Sequence, residues 1–252
     1  MMKIRFLGAH NIESSNYGMM SLLLDETIAF DAGCITSKLT LEQQMHLKGV
    51  LLTHQHYDHT RDIPSLVMNC FLNNCRIDFY CSQIVRDVLV QHYFNGEIHF
   101  QILNNPSVHF NIVEAQQPFN ILEYKITPVT MKHAVPTQGY YVQHHRHSFL
   151  YTGDTGPGLS ECWPFVAPNL LIVEVTFPNR FDVPSRQKGH LTPYLLQQEL
   201  CLFHSIHGYF PKVVPVHMNP LFEKEIANEL ASIANILPCE IISAYEGMEI
   251  ST

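Results

Sequence analysis

The sequence has few basic residues for its size. Its 252 residues include 15 lysines and arginines against 23 aspartates and glutamates, so the formal net charge is −8. A protein that binds long nucleic acid along the phosphate backbone normally presents a basic surface, because the phosphates must be neutralised. The composition therefore disfavours long nucleic acid as a partner. A small anionic substrate remains compatible with it, provided that bound cations reverse the local potential.

Long apolar runs and paired cysteines are also missing. No stretch is long and apolar enough to span a membrane, and the N-terminal segment lacks the apolar core and cleavage site of a secretory signal. The seven cysteines are odd in number and include no Cys-x-x-Cys pair, so they are predicted to be reduced thiols. We therefore expect a cytoplasmic protein with no membrane partner.

The chain shows no linker, repeat or low-complexity tract, so residues 1–252 are predicted to form a single domain. Short apolar strands alternate with helical patterns in both halves. One helix is predicted to follow Asp62, with Asp62 as its N-cap and Pro64 in its first turn. Two halves of strands and outer helices indicate an α/β protein, built as a four-layer αββα sandwich.

The 16 histidines matter where they cluster. The pattern His54-x-His56-x-Asp58-His59 directly follows an apolar strand at residues 50–53, and ligand sites form where strands of open α/β sheets end. Imidazole and carboxylate groups bind zinc, and also manganese or iron. A polar turn with accidental histidines is the alternative, but such a match arises by chance in roughly a few chains per thousand. The pattern predicts a metal site.

Two neighbouring metal ions need more ligands than one turn can supply. His133, Asp154 and His217 each follow an apolar run, as the histidine cluster does. Taken singly, each would be interpreted as a capping or buried core residue. Their shared placement at predicted strand ends makes them the candidates for the remaining ligands.

These seven residues resemble, in order and over nearly the full length, the ligand motifs of metallo-β-lactamase-fold hydrolases. The resemblance implies two divalent metal ions, with zinc as the first candidate. It implies that His54, His56 and His133 hold the first ion. It implies that Asp58, His59 and His217 hold the second ion, and that Asp154 bridges the two.

Phe30-Asp31-Ala32-Gly33 resembles the early Asp-Gly motif of the same family. There the aspartate lies behind the ligands and orients a ligand histidine. A turn-forming Asp-x-Gly is the alternative interpretation of this segment.

The reaction depends on how the leaving group departs. A pair of metal ions can activate water against esters, lactams, thioesters and phosphodiesters alike. A thiolate leaves unaided near neutral pH, whereas a sugar alkoxide needs a proton donor. Gly189-His190-Leu191-Thr192 supplies a histidine that is not needed as a ligand, just before Thr192-Pro193, a predicted N-cap and first helical turn. His190 is therefore predicted to be a general acid, although without metals it would be read as a solvated loop residue.

Two subfamilies share parts of the second half. Residues 171–176, the Gly-His-Leu-Thr-Pro segment and Val214-Pro215-Val216-His217 resemble class II cyclic nucleotide phosphodiesterases. Residues 133–140 and the pair of Glu174 and His190 resemble ribonuclease Z, which implies that Glu174 orients His190. The interval between Gly139 and Thr152 is too short for the tRNA-binding arm of ribonuclease Z. Tyr57, in turn, departs from the leucine usual in the cyclic phosphodiesterases.

The sequence thus predicts a metal-dependent phosphodiesterase for a small nucleotide phosphodiester, with a 3′,5′-cyclic nucleotide such as cAMP as the leading substrate. The predicted catalytic residues are Asp58, His190 and Glu174. A hydroxide bridging the metal ions is expected to attack phosphorus while His190 protonates the departing sugar oxygen. The native metal, the preferred base and the formation of a homodimer are left open.

Four alternatives remain. The first is a ribonuclease Z-like nuclease or tRNA-processing endonuclease without the arm, and the second is a thioesterase or lactonase. The third is a non-hydrolytic diiron redox or oxygen-binding protein, whose relatives usually carry glutamate at the position of His56 and use a flavin partner. The last is a metal-free scaffold, whose relatives typically lose ligands. Residues 144–147, rich in histidine, are predicted to form a solvated hairpin tip.

Overall fold

The computed structural model describes residues 1–99 and 107–252. A strand predicted from the apolar pattern at residues 98–103 lies largely outside the described residues. Within them, the first sheet is built mainly from the N-terminal half of the chain. Its first six strands are β1 (Lys3–Gly8), β2 (Ser21–Leu24), β3 (Ile28–Phe30), β4 (Gly49–Leu51), β5 (Ile77–Cys81) and β6 (Val108–Ile112).

The second sheet follows in the chain. Its strands are β7 (Phe119–Ile121), β8 (Tyr124–Met131), β9 (Thr137–His144), β10 (His147–Tyr151), β11 (Leu170–Glu174) and β12 (Lys212–Val216). The C-terminal β13 (Glu249–Ser251) returns to pair with β1. Among the described residues the strand order is β13-β1-β2-β3-β4-β5-β6 in the first sheet and β12-β11-β10-β9-β8-β7 in the second.

Helices cover the outer face of each sheet. The segments between β3 and β6 of the first sheet form α1 (Ile35–Lys38), α2 (Leu41–His46), α3 (Tyr57–Thr60), α4 (Ile63–Leu72) and α5 (Gln83–His92). The segments after β11 of the second sheet form α6 (Asp182–Lys188), α7 (Pro193–His207) and α8 (Glu223–Ile236). Thr192 caps α7 as predicted, since its hydroxyl accepts a hydrogen bond from the Leu195 amide at 3.4 Å. In the described part of the chain, no helix is long and apolar enough to cross a membrane.

Asp62 occupies the predicted N-cap position of α4, but its side chain does not cap the helix. Its carboxylate instead accepts hydrogen bonds from the amide and hydroxyl groups of Thr36, at 2.7 and 2.8 Å. Local sequence favours the cap, whereas the tertiary structure brings the α1 segment close enough to compete for the same oxygen.

Buried apolar side chains form three separate layers. One layer lies between the two sheets and includes Phe30, Phe149 and Tyr151. A second packs the outer face of the second sheet against α7 and α8, and a third packs the first sheet against α1, α4 and α5. Three apolar interfaces define four layers, helix, sheet, sheet and helix. The predicted αββα sandwich is confirmed.

The strand directions bring distant residues to one edge. β3 and β4 are parallel neighbours, and so are β10, β11 and β12. Parallel strands end at the same edge of a sheet, and polar groups placed there form ligand sites. The segments that follow these strands carry the histidine cluster, Asp154 and His217, which therefore meet at this edge.

Candidate metal centre

The loop after β4 supplies the clustered ligands. His54 and His56 lie in this loop, and Asp58 and His59 lie in the single turn of α3 that follows it. His54 and His59 have no exposed surface. Burial lowers the pKa of His54 and of His56, so both imidazoles are neutral, the form that coordinates metal ions.

A first group of donors surrounds one point. The Nε2 atom of His54 lies 3.0 Å from Nδ1 of His56, which lies 3.2 Å from Nε2 of His133. Asp154 completes the group, with its Oδ2 atom 3.8 Å from His54 Nε2 and 3.6 Å from His133 Nε2. These four donor atoms lie within 4.8 Å of one another, as a shared cation would require.

A second group lies on the other side of Asp154. Its Oδ1 atom lies 3.1 Å from Nε2 of His59 and 3.3 Å from Nε2 of His217. Asp58 joins them, with Oδ2 at 3.0 Å from His217 Nε2. The imidazoles of His59 and His217 lower the pKa of Asp58 although burial alone would raise it. Asp154 thus presents one oxygen to each group, which is the arrangement of a bridging carboxylate.

The donor atoms are suited to cations and are poorly satisfied without them. His59 Nε2 and Asp154 Oδ1 are buried, and their contact lacks the geometry of a hydrogen bond. Leaving a buried polar atom unpaired costs about 1–3 kcal/mol, a penalty that coordination would remove. Mixed imidazole and carboxylate donors are those of zinc, manganese and iron sites. The two groups therefore fit two divalent cations.

Asp31 orients two of the rings from behind. Its Oδ2 atom lies 2.7 Å from Nδ1 of His59. The hydroxyl of Thr53 donates to Asp31 and contacts Nδ1 of His54, both at 3.0 Å. Tyr151 also donates to Asp31, at 2.7 Å. Such partners fix which ring nitrogen faces the metal, which is the role expected for the Asp-Gly motif.

Two of the remaining three histidine rings, those of His133 and His217, have partners that the sequence did not predict. Nδ1 of His133 lies 2.8 Å from the carbonyl oxygen of Gly189, and Nδ1 of His217 lies 2.8 Å from the hydroxyl of Thr176. Thr176 donates that hydroxyl to Glu174 at 2.6 Å, so it accepts from His217. The role of Thr176 could have been predicted from its position, because it is a polar residue two places after β11. A backbone carbonyl leaves no such signal.

Glu174 holds His190 beside the two groups. Nδ1 of His190 lies 2.7 Å from Oε1 of Glu174 and 4.0 Å from Oδ2 of Asp154. Burial opposes the charged form of His190, but Glu174 outweighs it and raises the pKa of His190 to about 9. The ring is therefore an imidazolium near neutral pH. It lies between His133 and His217, with ring centroids 4.9 and 5.7 Å away.

Glu174, His190 and His217 could also be considered as a third cation site, since their donor atoms lie within 4.8 Å. Both oxygens of Glu174 are already occupied, however. They accept hydrogen bonds from the amides of Thr155 and Leu191 and from the Thr176 hydroxyl, besides contacting His190. A carboxylate saturated in this way is better suited to orienting His190 than to binding a cation.

Residues 144–147 lie at the opposite end of the second sheet. β9 ends at His144 and β10 begins at His147, and the intervening His145 and Arg146 are exposed. The predicted solvated hairpin tip is confirmed.

Comparison with known proteins places this arrangement in a family. Residues 28–218 match the Beta-lactamase superfamily domain. The chain belongs to this superfamily. Ribonuclease Z from Acaryochloris marina (strain MBIC 11017) is 28% identical over 153 residues, which are 56% of this chain and 48% of that protein. The alignment thus spans about half the length of this curated relative.

Solved structures share the superfamily fold over essentially the whole chain. Unliganded yeast PDE1 matches with a TM-score of 0.86 and 17% identity over 100% of this chain and 99% of its own. The metallo-beta-lactamase fold protein YhfI from Bacillus subtilis matches with a TM-score of 0.81 and 19% identity, over 99% of this chain and 98% of its own. The short form of human tRNase Z matches with a TM-score of 0.70 and 17% identity, over 99% of this chain and 98% of its own. The predicted superfamily is confirmed, and the predicted hydrolase class agrees with these relatives.

Gly189 packs against His133 in a conformation that disfavours other residues. Its φ is +73°, and a Cβ atom would lie 2.6 Å from Cα of His133. Gly208 has φ +75° with nothing within 4 Å of that position, so it is a matched control. Gly208→Ala should lower the free energy of unfolding by about 1–2 kcal/mol, from backbone strain alone.

Gly189→Ala should cost a further ~1–3 kcal/mol, because His133 must move, and metal affinity should fall with it. Chemical denaturation and metal titration of both variants measure these effects. Equal destabilisation in the two variants, with unchanged metal affinity, would show that the close approach of Gly189 to His133 has no role.

Proposed function

We propose that this protein is a metal-dependent phosphodiesterase that hydrolyses a small nucleotide phosphodiester, and that a 3′,5′-cyclic nucleotide such as cAMP is its substrate. The observation that carries the proposal is the pair of Glu174 and His190. In this pair His190 is a positioned proton donor, 4.0 Å from Asp154 and beside the residues that could hold two cations. Thioester hydrolysis does not require such a donor, because a thiolate leaves unaided near neutral pH, whereas expulsion of a sugar alkoxide does.

Seven side chains would hold the two cations. His54, His56 and His133 would hold one cation, Asp58, His59 and His217 the other, with Asp154 between them. Bound there, the two cations would supply an acidified water and positive charge for the phosphoryl oxygens. Asp58 is the most exposed of the two carboxylates, with 22% of its side chain accessible, so it faces the substrate side of the centre.

His190 would protonate the departing sugar oxygen. Its Nδ1 atom is engaged by Glu174, so the proton available for donation is on Nε2. Glu174 is fully buried and contacts no solvent, and it acts as a positioning residue that holds the ring and stabilises its charge. His190 lies in the short segment between α6, which ends at Lys188, and α7, which begins at Pro193.

A ribonuclease Z-like nuclease is the second candidate, supported by the 28% identity to that enzyme. Between His133 and Asp154, where the structure describes every residue, the chain forms only the hairpin of β9 and β10. This segment contains no arm that could hold a tRNA. The net charge of −8 also provides little attraction for a long polyanion.

A side-by-side assay distinguishes the two candidates. Purified protein, loaded in turn with zinc, manganese and iron, is incubated with cyclic AMP, cyclic GMP and a precursor tRNA. We expect nucleoside monophosphate to form from a cyclic nucleotide while the precursor tRNA remains intact. Cleavage of the precursor tRNA at its 3′ side, with both cyclic nucleotides unchanged for every metal, would replace the proposed activity by the second candidate.

A further inference from the structure

A pocket of about 320 Å³ lies beside His190 and has no role in the steps above. It is lined by Phe177, Phe181, Pro184, Ser185 and Lys188. The ring centroid of Phe177 lies 6.0 Å from that of His190. The pocket is therefore adjacent to the group that would meet the sugar oxygen, and its volume is in the range of small-ligand sites.

Ser185 indicates that a polar ligand enters this pocket. The residue is 1% exposed, and its hydroxyl has no hydrogen-bond partner among the described residues. A serine in a helix usually bonds to the preceding turn or points to water. Ser185 does neither, although it lines the pocket, so its buried hydroxyl is left without a partner among the described residues. Its backbone carbonyl accepts from the His190 amide at 2.9 Å, which connects the pocket wall directly to the general acid.

Two phenylalanine rings form the aromatic part of the lining. The centroids of Phe177 and Phe181 lie 5.8 Å apart. Phe181 is held in place by the Arg180 guanidinium, 4.4 Å from its centroid, and by Phe222, at 5.2 Å. Rings fixed in this way offer a ligand contact area at little cost in conformational entropy.

We propose that this pocket binds the purine or pyrimidine base of the substrate. Phe177 and Phe181 contact the heterocycle, and the Ser185 hydroxyl forms a hydrogen bond with a polar atom at its edge. The inference rests on the proposed function, because it places the phosphodiester at the metal centre and the base one ribose away. The pocket then selects nucleotides over phosphodiesters that lack a base.

Binding of nucleosides tests the pocket without any turnover. Adenosine, guanosine, cytidine and uridine carry a base but no phosphate, and each is titrated into metal-loaded protein by calorimetry. At least one should bind. Phe181→Leu should weaken that binding about tenfold to a hundredfold, because stacking on the ring is lost. Ser185→Ala should weaken it about threefold to tenfold through loss of one hydrogen bond.

Three controls accompany these measurements. Phe165→Leu changes an exposed phenylalanine outside the pocket and should leave nucleoside binding unchanged. Thermal melting of Ser185→Ala should show no loss of stability, because the hydroxyl that it removes has no protein partner. Phe181→Trp, which retains an aromatic face, should restore binding that Phe181→Leu removes.

Hydrolysis provides the second readout. The ratio of kcat/KM for a cyclic nucleotide to that for methyl ribofuranoside 3,5-cyclic phosphate, which lacks a base, should fall about tenfold or more in Phe181→Leu. Nucleoside binding that depends on Phe181, without hydrolysis of either diester, would support the pocket and contradict the proposed function. Hydrolysis of cyclic nucleotides with no nucleoside binding, or with a ratio unchanged in Phe181→Leu and Ser185→Ala, would overturn the pocket alone.

Discussion

Replacing Asp154 by asparagine is expected to reduce the bound metal to one equivalent or less and to lower phosphodiester hydrolysis by at least about a thousandfold. Asp154 places Oδ1 within 3.3 Å of His59 and His217 and Oδ2 within 3.8 Å of His54 and His133. Asparagine retains the shape but loses the negative charge and one of the two oxygens. No other carboxylate in the described part of the chain faces both groups.

Metal analysis and steady-state kinetics on the same preparations measure this effect. Asp87→Asn is the matched control, because Asp87 lies on the exposed surface of α5 and should behave as the parent protein does. Circular dichroism shows whether each variant is folded. If Asp154→Asn bound two equivalents of metal with unaltered affinity, the assignment of Asp154 as the bridging ligand would be wrong.

His190→Ala is expected to have the second largest effect, and its size should depend on the substrate. Turnover of a cyclic nucleotide should fall about a hundredfold to ten-thousandfold, the usual contribution of a general acid. Turnover of bis(4-nitrophenyl) phosphate should fall less than about tenfold, because nitrophenolate leaves without a proton. The difference between the two substrates identifies the step in which His190 takes part.

His204→Ala, which changes an exposed histidine of α7, is the control and should leave both rates unaltered. Metal content must be measured in His190→Ala, since His190 lies within 4.8 Å of His217 and Glu174. Retention of both cations together with a substrate-dependent loss supports the acid role. Equal losses on the two substrates would remove His190 from that role and weaken the argument for a phosphodiester substrate.

Much of the site could be predicted from local sequence. A strand followed by His54-x-His56-x-Asp58-His59 is a compact pattern, and three further ligand-capable residues follow apolar runs. The structure brings all seven residues together in two neighbouring groups. This geometry supports their predicted role as metal ligands. The N-cap at Thr192 was equally local, because the cap and the amide that it accepts from are three residues apart.

Local sequence did not predict the hydrogen bonds that involve residues distant in the chain. Asp62 has the position of an N-cap, yet its carboxylate accepts a hydrogen bond from the amide of Thr36 instead. Thr176 and the carbonyl of Gly189 orient His217 and His133, although neither belongs to a recognisable motif. The pocket beside His190 likewise depends on Phe222, a residue 41 positions after Phe181 in the numbering, to hold that ring.

By itself, the sequence determined the fold class, the family and the chemical nature of the centre, because strand periodicity and ligand types are properties of short segments. Only the tertiary structure decided which ring nitrogen faces each group of ligand atoms, how Asp154 is shared between the two groups and where the pocket beside His190 lies. These depend on the parallel pairing of β3 with β4 and of β10 with β11 and β12. Such pairing joins residues far apart in the chain, and no local pattern specifies the distances between them.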